Sequence, residues 1–195
     1  MPEPRRAGGS AALAFGILMT APLLTRLVDR FGAHDRALLM RCAIDPTAPP
    51  RFRTAWAGVT HLGSTATSIL AAVLPSLAGG ELRRASRLAA VSLVLSHLIV
   101  QLMKRTAGRG RPSRLQPVQA LVREPDRFSF PSGHATAAMA VALAYAVVFP
   151  AWAPPLLLVA AAVGFSRVRL GVHYPSDVVA GQLVALGTVA ALLAG

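Results

Sequence analysis

Apolar residues gather in six runs, 11–25, 54–78, 86–103, 134–149, 155–166 and 177–194, and the charged residues fall almost entirely between them. Several runs approach the roughly 20 residues that carry a helix across a bilayer, while 134–149 and 155–166 need their flanks to do so. A buried soluble core explains one or two such runs, not six. The pattern therefore predicts an all-α, polytopic membrane helix bundle of about six transmembrane helices, built as one domain over 1–195. Between the first two runs, Leu27, Phe31, Leu38 and Cys42 recur at near-helical spacing among charges. That spacing predicts a helix lying in the membrane interface within 26–53, broken by "DPTAPP". The third and fourth runs are separated by a long loop, 105–133, of a length that is usually functional or disordered.

Composition agrees with the pattern. Hydrophobic residues make up 54 % of the chain and charged residues 14 %, against about 25 % charged in a soluble domain. The net charge of +12 sits in the gaps between apolar runs, as in membrane-protein loops, and forms no basic domain for nucleic acid. Cys42 is the single cysteine, which excludes a disulfide framework and leaves it as apolar filler. The first run has a basic start but no clean small-x-small cleavage site, so an uncleaved first span is expected.

If six helices alternate direction, four polar clusters meet on one membrane face: Lys104 to Arg111, Pro131 to His134, Ser166 to Arg167, and His173 to Asp177. Singly, each has a structural explanation. Ser132 and Asp177 are good helix caps, Lys104 a snorkelling anchor, and Arg167 and Arg169 topology signals. Two histidines at adjacent helix starts fit that explanation less well. Together the clusters suit a tetrahedral anion. A helix N-terminus offers free N–H groups, Gly133 allows close approach, Ser132 can donate a hydroxyl, and Lys104, Arg111 and Arg167 supply cationic donors. Asp177 is the only acid expected in the cluster, so no metal site is expected.

"KRTAGRGRP" (104–112), "PSGH" (131–134) and "SRVRLGVHYPSD" (166–177) together resemble the three-part signature K-x6-R-P, P-S-G-H, S-R-x5-H-x3-D. That is the signature of the type 2 phosphatidic acid phosphatase and vanadium haloperoxidase superfamily. All three parts are in order with every signature position filled, and the close resemblance covers 104–177. It implies that His173 is a nucleophile forming a phosphohistidine and that Asp177 orients its ring. It further implies that His134 serves as acid and then base, and that Lys104, Arg111, Ser132, Gly133 and Arg167 hold the phosphoryl oxygens. It implies no cofactor. Continuous spans point to the membrane lipid phosphatase branch rather than to the haloperoxidases. The implied substrate is a lipid phosphate monoester or diphosphate, of phosphatidic acid, phosphatidylglycerophosphate or polyprenyl type. A phosphotransferase using an alcohol acceptor and a non-enzymatic phospholipid-binding protein are the alternatives.

Three further features stay open at this level. His97 and Gln101 share a helical stripe with Lys104 and either extend the site or bond a neighbouring helix; His61 has the same two readings. The segment 115–122 either dips into the interface or links the spans. Finally, 15 of the 20 basic residues lie on the active-site face, which leans that face toward the cytoplasm of a multi-pass cell-membrane protein.

Overall fold

The computed structural model describes residues 30–195. Two compact units divide the chain, 1–37 and 38–195, and the second carries everything below except the start of the first described helix. The expected span 11–25 and the first residues of the interfacial helix lie outside the described residues.

Helical residues ending at Cys42 (α1, 30–42) stop where "DPTAPP" cannot continue a helix, as its prolines and Asx-type turn require. The helices that follow are α2 (Pro50–His61), α3 (Thr65–Val73), α4 (Gly80–Ala107), α5 (Pro112–Leu115), α6 (Gly133–Val148), α7 (Ala153–Arg169) and α8 (Pro175–Ala194). Among the described residues the only strand-like pairing is an isolated bridge between Gly110 and Phe128. Among the described residues, three helical segments are long and apolar enough to cross a membrane, four if a bent pair is one span, and α6 is a shorter apolar helix. Their outward leucines remain exposed, Leu102 at 65 % and Leu158 at 71 %, which suits contact with lipid rather than water. The protein is an all-helical membrane protein.

The run 54–78, expected as one span, is broken. α2 and α3 meet at a 44° bend because "HLGS" supplies both a stop and a new cap: Ser64 Oγ accepts from Thr67 N at 3.3 Å. Gly63 also packs where a Cβ would come within 2.8 Å of the His134 carbonyl oxygen. The bend therefore presses directly on the start of α6.

α6 is the centre of the bundle, packed against α4, α7 and α8. The helices come close because their buried faces are small. On α4 the buried stripe runs Ala85, Ala89, Ser92, Ser96, Val100, Lys104. This is a 3.6-residue stripe that ends, at the last turn, on a lysine. On α8, a Cβ at Gly181 would meet the Ser132 carbonyl oxygen at 2.6 Å, so α8 seats tightly beside the beginning of α6. Near the same end Leu39, Ala135, Val168, Tyr174 and Val178 form an apolar cluster, with Cys42 and Val118 against it.

Candidate active site

Each polar cluster expected on one face reaches the same place, and each arrives by a local rule. Lys104 closes the buried stripe of α4. Ser132 is the N-cap residue of α6, with Gly133 and His134 its first two helical residues. Arg167 lies in the last turn of α7, and Asp177 in the first turn of α8. Pro175 at the start of α8 needs no N–H, and the Tyr174 N–H donates back to Asp177 Oδ2 at 2.8 Å. Ser132 N donates to the Asp177 carbonyl oxygen at 2.9 Å, tying α6 to α8 at the site itself.

His173 lies in the short connection between α7 and α8, almost wholly buried. Its backbone is clamped by N–H bonds from Val172 and His173 to the Arg167 carbonyl oxygen. The preceding turn is held from both sides: Ile44 N donates to Arg169 O and Leu121 N to Leu170 O. Segment 115–122 thus does more than link spans. It packs against the turn that presents His173.

The His173 ring has one nitrogen toward a carboxylate and the other toward a cation. Nδ1 lies 3.5 Å from Asp177 Oδ2, and Nε2 lies 3.3 Å from Arg111 Nη1. A 3.5 Å contact is long for a hydrogen bond, as catalytic contacts often are before substrate tightens them. Burial pushes the imidazole down to about 4. The bond from Asp177 opposes the shift, and the charges of Arg167 and Arg111 add to it. The ring is therefore neutral at physiological pH, with a lone pair available at the nitrogen that Asp177 does not face. His134, half-buried, stands within electrostatic range of Arg167 and His173.

The three cations are all buried. Arg167 Nη1 donates to Thr60 Oγ1 at 2.7 Å, while Arg167 Nε and Nη2 and Ser132 Oγ are buried without a hydrogen-bond partner. Buried donors call for a partner, water or ligand, and the chemistry of these fits an oxyanion.

One expectation is corrected here. Asp177 is not the only acid in the cluster. Asp126 Oδ2 accepts from Lys104 Nζ at 2.7 Å, and Asp126 Oδ1 accepts from Arg111 Nη2 at 3.0 Å. The Asp126 carbonyl oxygen accepts from Arg111 Nε at 2.6 Å. Partial burial pushes this carboxyl up, but the bonds and charges of Lys104 and Arg111 outweigh it and hold it below the usual carboxylate range. Arg109 was also missed: it donates to Asp177 Oδ1 and to Ser176 Oγ, each at 2.7 Å, and lies over the Tyr174 ring. Thr60, the partner of Arg167, was the third. Signals existed for two of them: "REPDRF" holds two of the loop's acids, and Arg109 stands two residues before Arg111. Thr60 had none, because only the bend at Gly63 brings α2 to the site. His97 and Gln101 bond each other at 3.3 Å and not the site, and His61 is exposed at the end of α2.

The profile of the PAP2 superfamily matches residues 86–194, more than half of the chain and every signature position. The chain belongs to the PAP2 superfamily. Relatives include the lipid A 1-phosphatase of Rhizobium johnstonii, 39 % identical over 46 % of this chain and 39 % of that protein. The decaprenylphosphoryl-5-phosphoribose phosphatase of Mycobacterium tuberculosis is 37 % identical over 70 % of this chain and 75 % of that protein. The chain thus spans about two fifths of the rhizobial relative and three quarters of the mycobacterial one. Among solved structures, a transmembrane PAP2 type phosphatidylglycerolphosphate phosphatase from Bacillus subtilis superposes with a TM-score of 0.67. It is 25 % identical, with 94 % of this chain and 92 % of that one covered. LpxE of Aquifex aeolicus shares the fold, with a TM-score of 0.65 at 22 % identity over 76 % of this chain and 89 % of that one.

Proposed function

We propose that this PAP2 protein is a multi-pass cell-membrane phosphatase that hydrolyses the phosphate monoester or diphosphate of a lipid through a phosphohistidine on His173. The observation that carries the reading is a buried imidazole held between Asp177 and Arg111, beside the partnerless donors of Arg167 and Ser132. His173 Nε2 attacks phosphorus as the bond to the lipid oxygen breaks, and His134 gives that oxygen its proton. Water then attacks the phosphohistidine while His134 takes its proton, releasing phosphate and a neutral His173. Asp177 fixes the ring tautomer and stabilises the positive ring of the intermediate. Lys104, Arg111, Arg167, Ser132 Oγ and the N–H groups at Gly133 bind the phosphoryl oxygens, more strongly as charge spreads onto them in the transition state. A site at the helix ends receives a headgroup phosphate while the tails stay in the hydrocarbon.

These donors do the neutralising that metal ions do elsewhere, so turnover is expected to persist in excess chelator, with orthovanadate competing. The deciding experiment incubates purified protein with a panel of lipid phosphates and diphosphates, with and without an added alcohol. Free phosphate and an acid-labile phosphoryl group on the His173 peptide are measured. His173→Ala is expected to show neither. Full activity in that variant would end the phosphohistidine mechanism, and phosphoryl transfer to the alcohol without phosphate release would make the protein a phosphotransferase.

The basic loops support a cytoplasmic site. Arg123→Cys, in a Cys42→Ser background, is then expected to resist impermeant maleimide in intact cells. Rapid labelling from outside would place the site on the other face.

A further inference from the structure

The loop between Pro112 and Pro131 carries two acids, Glu124 and Asp126; Asp126 is ion-paired with Lys104 and Arg111, whereas Glu124 acts on Arg167 through its charge without a direct ion pair. Glu124 is engaged by Ser113, whose Oγ donates to it at 2.6 Å. Asp126 divides its carboxylate between Lys104 at 2.7 Å and Arg111 at 3.0 Å. It also accepts from its own loop at Phe128 N, 2.9 Å away. Both cations are nearly inaccessible, whereas about a third of the Asp126 side chain is exposed. Two like charges cannot be buried side by side without a counter-charge, and Asp126 supplies it.

We propose that Asp126 is the resident counter-anion of the phosphoryl site: it sets the spacing of Lys104 and Arg111 and, by cancelling part of their charge, keeps the phosphate product from being held. This rests on the phosphatase reading above and adds a positioning residue to it. The physical conflict is plain. Without a fixed carboxylate, Lys104 and Arg111 repel each other and lose their common anchor, so an incoming phosphoryl group meets a less ordered pair. The same change leaves the site more positive, so free orthophosphate is held more tightly. Asp126 therefore trades affinity for order. A merely structural residue would not separate these effects, since loosening the site weakens turnover and phosphate binding alike.

The test measures kcat, KM and inhibition by orthophosphate for the full-length protein in detergent, with wild type beside Asp126→Asn, Asp126→Ala and Asp126→Glu. For Asp126→Asn, kcat is expected to fall about tenfold while the orthophosphate inhibition constant also falls about tenfold, the size of one perturbed charge interaction. Asp126→Glu, which keeps the charge, should return both values toward wild type. Orthophosphate protection against thermal unfolding gives the same affinity without turnover, and it reports on any variant too slow to assay. Weaker phosphate binding together with slower turnover, or no change in either, overturns the proposal. If wild type neither hydrolyses a lipid phosphate nor is protected by orthophosphate, the parent reading has failed instead.

Discussion

On one side of the site Lys104 and Arg111 share the Asp126 carboxylate; on the other, Arg167 has one hydroxyl partner, Thr60, and two buried nitrogens with none. On both sides the cations are closed to solvent, yet only the first has an ion-pair partner. A buried cation with an ion-pair partner contributes to the fold whether or not a ligand is bound. One without a partner costs stability until an anion arrives. On the proposed function, the Arg167 side concentrates interactions that exist only with the ligand, and strengthening with charge development is what accelerates a reaction. The Asp126 side holds the frame.

The largest effects should separate the two sides. Arg167→Ala is expected to lower kcat/KM by about 10²–10³, the loss that follows removal of one oxyanion donor. Its melting temperature without ligand should be unchanged or higher, because a partly unsatisfied buried charge is gone, and protection by orthovanadate should disappear. Arg111→Ala should lose activity on a similar scale but melt lower. Its removal strands the Val172 carbonyl oxygen, bonded at 3.0 Å, and the Asp126 carbonyl oxygen, bonded at 2.6 Å, while Asp126 Oδ1 keeps its bond from Phe128 N. An unsatisfied buried acceptor costs about 1–3 kcal/mol. Thermal unfolding of both variants in one detergent checks the order, and the opposite order of melting temperatures would erase the distinction.

Next comes pH. His173 is held at about 4 in the fold against an ordinary 6.5, so between those values the unfolded chain binds the proton that the folded protein refuses. The stabilising contribution of the neutral ring is complete above about pH 6.5 and is lost as pH falls toward 4. His173→Gln should flatten that part of the acid-side decline in melting temperature. The charges of Arg167 and Arg111 both push the ring down, and Asp126, ion-paired with Arg111, is placed to offset the latter. Arg167→Ala should then move the imidazole titration, followed by NMR, further toward 6.5 than Arg111→Ala does. Equal movement would mean that Asp126 offsets little.

Much of this was legible because the bundle works by periodicity. Lys104 is the last member of a stripe of period 3.6, and Ser132 and Asp177 stand where helix starts place them, so alternation of the spans brought the polar clusters to one face and the three-part signature gave the roles expected there. The break in 54–78 was not recognised, although Gly63 and Ser64 are a stop and a cap, because the hydrophobic pattern runs through them. Nor were Asp126, Arg109 and Thr60 assigned: each acts through a partner far away in sequence. Asp126 bonds a residue 22 positions earlier, and Thr60 bonds one 107 positions later. Patterns report which way a residue faces along its own helix, and they are silent about which distant charge needs a counter-charge.

A smaller effect should come from Arg109. It holds Asp177 Oδ1 at 2.7 Å while Asp177 Oδ2 accepts from Tyr174 N, so the carboxylate facing His173 is gripped at both oxygens. Arg109→Ala is expected to cost about tenfold in kcat with little change in KM, since the carboxylate stays but is less fixed. Arg109→Lys should recover part of the loss. A loss confined to KM would put Arg109 on the substrate instead, and on the open side of the comparison.

The smallest effect is expected at Arg169, two residues from Arg167 on α7 and therefore on a different helix face. Its guanidinium lies over the Trp56 ring at 5.4 Å, and Trp56 meets Phe165 edge-on at 5.5 Å, a contact of the packing between α2 and α7. What Arg169 lends to the site is its carbonyl oxygen, which accepts from Ile44 N at 2.8 Å, and that bond survives any ordinary side-chain change. Arg169→Ala should therefore lose the cation–π contact, about 0.5–1 kcal/mol at an accessible ring, and keep kcat/KM within about twofold of wild type. Steady-state kinetics beside a thermal melt separates the two readouts. A loss on the scale of Arg167→Ala would show that the unsatisfied side of the site extends past Arg167, and the comparison between its two sides would have to be redrawn around two arginines of α7.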